Sequence, residues 1–120
     1  MRIVFMGTPD FAVPTLERLA ASDHEIVSVV TREDAQRGRG RKLSPPEVKV
    51  AAEALGLPVL QPSSLRDKSF QSTLAELKPD LFVVVAFLIL PRSLLKIPMH
   101  GSINLHPSLL PKYRGAAPIQ

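Results

Sequence analysis

Asn104 and His106 have the types and the spacing of a pair that can do chemistry. They alternate with Ile103 and Leu105, and in an extended strand residues two apart project to the same face. One face then carries an amide donor beside a titratable imidazole, groups suited to hydrogen bonding and proton handling at a reacting centre. Pro107 follows at once and has no N–H to continue a ladder. The pair therefore stands at the carboxyl end of its strand, where open α/β sheets bind ligands. The plain alternative is a surface histidine beside an asparagine that stabilises the turn before Pro107.

Charge marks two further segments. All eleven acidic side chains lie at or before Asp80, and beyond it stand Arg92, Lys96, Lys112 and Arg114 without an acid among them. A second acid-free run, residues 35–46, holds Arg37, Arg39, Arg41 and Lys42 with Gly38 and Gly40 between them. Local basic patches on a nearly neutral body point to an anionic partner such as nucleic acid, against the alternative of solvated loops. Lys112-Tyr113-Arg114-Gly115 sets an aromatic ring between two cations, a pattern that suits nucleic acid. Ala86-Phe87-Leu88-Ile89-Leu90-Pro91 is apolar throughout. It reads either as core filling or as a slot for a flat ring, whose edges the backbone would meet.

The elements that must position these groups follow from periodicity. Residues 2–6, 25–31, 59–60, 81–86 and 101–106 read as strands, and residues 11–21, 47–55 and 69–77 as helices, with one helical turn over 91–96. Pro14 falls in a first turn, where its missing N–H costs nothing, and Gly56 suits a helix end. The run 81–86 is unbroken and apolar, as expected of a strand covered on both faces. Residues 32–46 lack apolar periodicity and read as a long loop, which in a compact domain is usually functional or disordered. Strands alternating with helices define an α/β fold, a parallel sheet with right-handed crossovers. At the first turn only Gly7 is present, followed by Thr8, Pro9 and Asp10. A dinucleotide diphosphate needs close backbone approach and free N–H groups there. Pro9 removes a donor, and Asp10 is expected to cap the helix and fill its positive end. NAD is not expected.

Length and composition bound the rest. The chain has 120 residues, one domain's worth, with 45% hydrophobic residues and no cysteine. Neither a disulfide framework nor a thiolate metal site is possible, and no metal is expected. The longest apolar run, residues 81–90, is half of the ~20 residues that a membrane helix requires. The four apolar residues 3–6 are too few for a signal peptide. A soluble, cytoplasmic protein is expected.

These segments carry a resemblance. Met6-Gly7-Thr8-Pro9-Asp10-Phe11, the Gly38-Arg39-Gly40-Arg41-Lys42-Leu43 loop and residues 102–120 occur in the order seen in bacterial methionyl-tRNA formyltransferases. The chain resembles that family along nearly all of its length. Ile-Asn-Leu-His-Pro-Ser-Leu-Leu-Pro, residues 103–111, is the signature of enzymes using 10-formyltetrahydrofolate, and Tyr-Arg-Gly-Ala-Ala-Pro-Ile-Gln, residues 113–120, points to the branch acting on tRNA. The resemblance implies a Rossmann-like open parallel sheet with helices on both faces. It implies formyl transfer to the α-amino group of methionine on initiator tRNA, with 10-formyltetrahydrofolate as donor, no metal, and a monomer.

It further implies catalysis by Asn104 and His106, donating to the oxyanion that develops as the amine attacks. It places the folate along Phe87, Leu88, Ile89, Leu90 and Pro91, with Ser108 and Leu109, and tRNA at Arg39, Arg41 and Lys42. The chain departs from the family in lacking an aspartate after the histidine signature. Its 120 residues are therefore expected to form the N-terminal part of the catalytic domain, without the C-terminal tRNA-binding domain and with little activity alone. Leu88 also stands where the family often carries glycine, and residues 33–37 lack the usual proline-containing turn. The competing readings are a formyltransferase for an amino sugar or another small amine, and a non-catalytic nucleic-acid-binding module.

Overall fold

Short apolar runs separated by amphipathic ones assemble into one parallel sheet. The computed structural model describes residues 1–37 and 42–105, apart from the Arg37 side chain. In chain order it contains β1 (Arg2–Gly7), a 3₁₀ turn (Asp10–Ala12), α1 (Val13–Ala20), β2 (Glu25–Val30), β3 (Ala35–Arg37), β4 (Lys42–Ser44) and α2 (Glu47–Ala54). There follow β5 (Val59–Leu60), α3 (Lys68–Glu76), β6 (Leu81–Val85), α4 (Arg92–Leu95) and β7 (Ser102–Leu105). The main sheet has the order β5-β2-β1-β6-β7, and every pair in it is parallel.

Burial explains why the strands read as continuous apolar runs. Ile3, Val4, Phe5 and Met6 are all buried, and so are Phe82 to Val85. Alternate residues enter two cores, one on each face of the sheet. Ile3, Phe5, Val83 and Val85 pack with Leu16 of α1 and with Val48 and Ala52 of α2. Val4, Met6, Phe82 and Val84 pack with Phe70 and Leu74 of α3 and Leu94 of α4. This is the expected α/β arrangement, helices on both faces of an open parallel sheet.

Helix ends follow local chemistry. Asp67 caps α3, its Oδ1 accepting from Ser69 N at 2.9 Å. Gly56, at φ +74, ends α2 in the left-handed conformation that favours glycine. Pro14 lies in the first turn of α1. Among the described residues no helix is long and apolar enough to cross a membrane.

Two expectations need correction. Asp10 does not cap a helix. The residue before the 3₁₀ turn is Pro9, no side-chain cap bond is made there, and Asp10 lies exposed in the first turn. The 3₁₀ turn places Asp10 inside the helical segment, one step too late to reach its free N–H groups. Residues 32–46 are not one loop, because β3 and β4 form an antiparallel pair with Ala35 opposite Ser44, Gln36 opposite Leu43 and Arg37 opposite Lys42. Ala35, Gln36, Lys42 and Leu43 are all exposed. With no buried face, no apolar alternation marks these strands.

Gly7 shows what the first turn demands. A Cβ there would lie 3.1 Å from Ala12 Cβ, 3.1 Å from Phe5 Cε2 and 3.1 Å from the Val85 carbonyl oxygen. The glycine lets the turn close against β6. Gly7→Ala is expected to cost about 1–3 kcal/mol through overpacking, read as a lowered midpoint in denaturant. An unchanged midpoint would mean that the turn yields freely.

Candidate active site at the carboxyl edge of the sheet

Sheet order marks where a ligand can be held. From β1 the chain steps outward to β2 and β5, then crosses to β6 and β7 on the other side of β1. The direction reverses between β1 and β6, and the crevice outside the carboxyl ends of the strands at such a reversal is where open sheets hold ligands. The strands end level there. Met6 pairs with Val84 and Val84 with Asn104, while Gly7 pairs with Val85 and Val85 with Leu105.

Register also assigns faces. Residues paired across a parallel ladder share a face, so Asn104 belongs with Met6 and Val84. The core that takes these two also takes Leu90, with Phe87 packed against it. Asn104 and the Phe87–Leu90 stretch therefore border the same face of the sheet. Asn104 itself is exposed on the edge strand. Ile103 and Leu105 turn to the other face, lining a groove with Ile3, Leu19 and Val83. The alternation read from sequence thus holds through Leu105. His106, Ser108, Leu109, Lys112, Tyr113 and Arg114 lie outside the described residues.

The apolar stretch is less slot-like than expected. Phe87 and Pro91 are half-buried, Leu88 is exposed, Ile89 is 95% exposed and Leu90 is buried. A cleft of about 130 Å³ is lined by Phe87 and Leu88 together with Thr31, Arg32, Ser63 and Ser64. It is smaller than the ~300–1,000 Å³ of a usual small-molecule site. Ile89, Leu90 and Pro91 do not line it. The turn into this stretch is made by Ala86, whose φ is +48. A left-handed conformation costs an L residue roughly 1–2 kcal/mol, so the surrounding structure must hold it there. Leu88 has no positive φ, and its backbone has no need of the glycine common at that place.

Of the cationic candidates, Arg39 and Arg41 lie outside the described residues. Lys42 is exposed at the start of β4, opposite Arg37. Beside this hairpin lies a cluster that the sequence did not suggest. Asp34 accepts from Lys49 Nζ at 3.2 and 3.3 Å and from Gln61 Nε2 at 2.7 Å. The Gln61 hydrogen bond and then the Lys49 hydrogen bond hold its carboxyl below the usual carboxylate range. Its partners stand 15 and 27 residues away, and no local spacing connects them. No group of three or more potential metal ligands occurs among the described residues.

Comparison with known proteins agrees with this architecture. The family described as formyl transferase matches residues 1–120. Methionyl-tRNA formyltransferases of Moorella thermoacetica and Geobacter metallireducens are each 59% identical over 99% of this chain. That of Stenotrophomonas maltophilia is 59% identical over 100% of it. The chain spans 39% of the length of each of these relatives. Among solved structures, phosphoribosylglycinamide formyltransferase of Anaplasma phagocytophilum superposes with a TM-score of 0.61 at 25% identity, over 97% of this chain and 54% of its own. Since the family match runs from end to end, and a solved formyltransferase shares the sheet that carries it, this chain belongs to the formyl transferase family.

Proposed function

We propose that this chain forms the N-terminal part of a catalytic domain that moves a formyl group from 10-formyltetrahydrofolate to the α-amino group of methionine on initiator tRNA. The observation that carries the reading is the 59% identity to methionyl-tRNA formyltransferases across almost the whole chain. The donor brings an activated formyl carbon. The chain's own residues bind, orient and stabilise charge.

As the amine attacks, negative charge gathers on the formyl oxygen, and the Asn104 amide N–H donates to it; the formyl carbon then parts from folate N10, which ends with the proton that the amine gives up. His106, two residues on, is the second donor. Imidazole titrates near 6.5, so a carboxylate neighbour is needed to keep it protonated at neutral pH. No acid follows Asp80 in the 120 residues, and the relatives extend well beyond the matched length. Phe87 to Pro91, with Ser108 and Leu109, hold the folate. The shared face of Phe87, Leu90 and Asn104 supports that assignment, and the left-handed Ala86 aims the stretch past the end of β6. Arg39, Arg41 and Lys42 meet tRNA phosphates.

A small-amine acceptor is the second reading, suggested by the name of the solved relative. The basic hairpin favours tRNA over it, because a small acceptor offers at most a phosphate or two where tRNA offers a chain of them. Competition decides between them. The full-length gene product is given 10-formyltetrahydrofolate labelled in the formyl group, with methionyl initiator tRNA and phosphoribosylglycinamide at equal concentration. Label is expected in formylmethionine. Label in the small amine would sink the proposal.

A further inference from the structure

We infer that Asp34 is a positioning residue: it fixes the hairpin strands β3 and β4 at the carboxyl edge of the sheet and so sets how RNA phosphates approach Lys42. The inference rests on the proposed role of that hairpin in RNA binding.

The hairpin stands outside the main sheet. It forms its own two-stranded sheet and pairs with no strand of the main one. A lone two-stranded hairpin is at best marginally stable in water. Its faces bury nothing large, since Gln36 is exposed and Leu43 is 69% exposed. Its two legs join it to the rest of the fold. The outgoing leg runs from Ser44 through Pro45 into the buried Pro46, which begins α2. Proline fixes φ, so that leg is tied to α2 by the chain itself.

The incoming leg is tied through the Arg32 carbonyl and through Asp34, the residue directly before β3. Its carboxylate takes both bonds from Lys49, on α2, and one from Gln61, directly after β5. The Gln61 amide also donates to the Arg32 carbonyl at 3.0 Å. Lys49 and Asp34 side chains retain only 21% and 32% of their exposure. Both legs are thus referred to α2, one covalently and one through a charge-assisted bond. Three segments far apart in sequence converge on one carboxylate at the root of the hairpin.

A negative charge beside an RNA-binding element opposes binding on electrostatic grounds alone. This gives the inference a test with opposite signs. Asp34→Asn removes the charge and presents an amide N–H to two other donors. If charge were its whole effect, tRNA would bind more tightly and the salt dependence would steepen. Positioning requires the reverse, a loss of about fivefold in affinity, within the range of coupled networks, and a flatter salt dependence.

The experiment titrates the full-length protein with uncharged initiator tRNA at several salt concentrations. Wild type, Asp34→Asn, Asp34→Glu, Lys49→Met and the Asp34→Asn/Lys49→Met pair are compared. Amide exchange of β3 and β4 is followed alongside that of β1 and β6. Expected are weaker binding by Asp34→Asn, recovery by Asp34→Glu, and a double variant no worse than the poorer single. Faster exchange is expected in β3 and β4 only. Tighter binding with unaltered hairpin exchange would overturn the inference. If wild type does not bind tRNA, the RNA reading itself fails, and the exchange result alone decides whether Asp34 holds the hairpin.

Discussion

Asn104→Ala is expected to lower kcat by about 10²–10³-fold in the full-length protein, the usual cost of one lost oxyanion donor. The residue lies on β7, level with Val84 and Met6 at the reversal in sheet order. An oxyanion donor makes its bond in the transition state, so its loss acts on the reaction rather than on the folded ground state. Activity should therefore fall while the denaturant midpoint stays in place. KM for formyl donor and for tRNA should hardly move, because the bond forms only as charge develops. His106→Ala should be at least as damaging, since it removes a charged donor. Formylmethionine release under saturating substrates reads both. Near-normal kcat in Asn104→Ala would return that residue to the role of a turn stabiliser before Pro107.

Replacing Arg41 and Lys42 together by alanine is expected to raise KM for tRNA about 20-fold near physiological salt. Each lost phosphate contact flattens the log–log salt dependence by roughly 0.7–0.9, and two contacts compound to that loss. Folate affinity should be unaffected, because Lys42 lies on the hairpin and not in the cleft lined by Phe87 and Leu88. A salt titration of tRNA binding on wild type and the double variant measures the change. An unchanged slope, or selective loss of folate binding, would move the hairpin from the tRNA side of the site to the donor side.

The readable parts of the chain were those where burial writes itself into residue type. β1 and β6 are covered on both faces, so nearly every residue in them is apolar, and periodicity located them to within a residue. Gly56 and the first-turn Pro14 announced helix boundaries because their backbone chemistry admits few other places. The hairpin β3–β4 left no such trace. Its residues face solvent, so apolar alternation is absent, and the glycines at 38 and 40 were the remaining signal. Asp10 had a capping residue's chemistry but not its place, since the 3₁₀ turn began one residue earlier.

Residue types and their spacing by themselves determined the α/β class, the absence of a thiolate site and of a dinucleotide fingerprint, and the alternation that sets Asn104 apart from Ile103 and Leu105. These are local properties, carried by neighbours in the chain through backbone geometry and hydrophobic period. Only the tertiary structure decided that Asn104, Met6 and Val84 share a face with Phe87 and Leu90, because that depends on strand order and register between segments up to a hundred residues apart. Only it brought Lys49 and Gln61 to Asp34. Such bonds are formed across the fold by single side chains, and a hydrogen bond between distant residues leaves no period in the sequence to read.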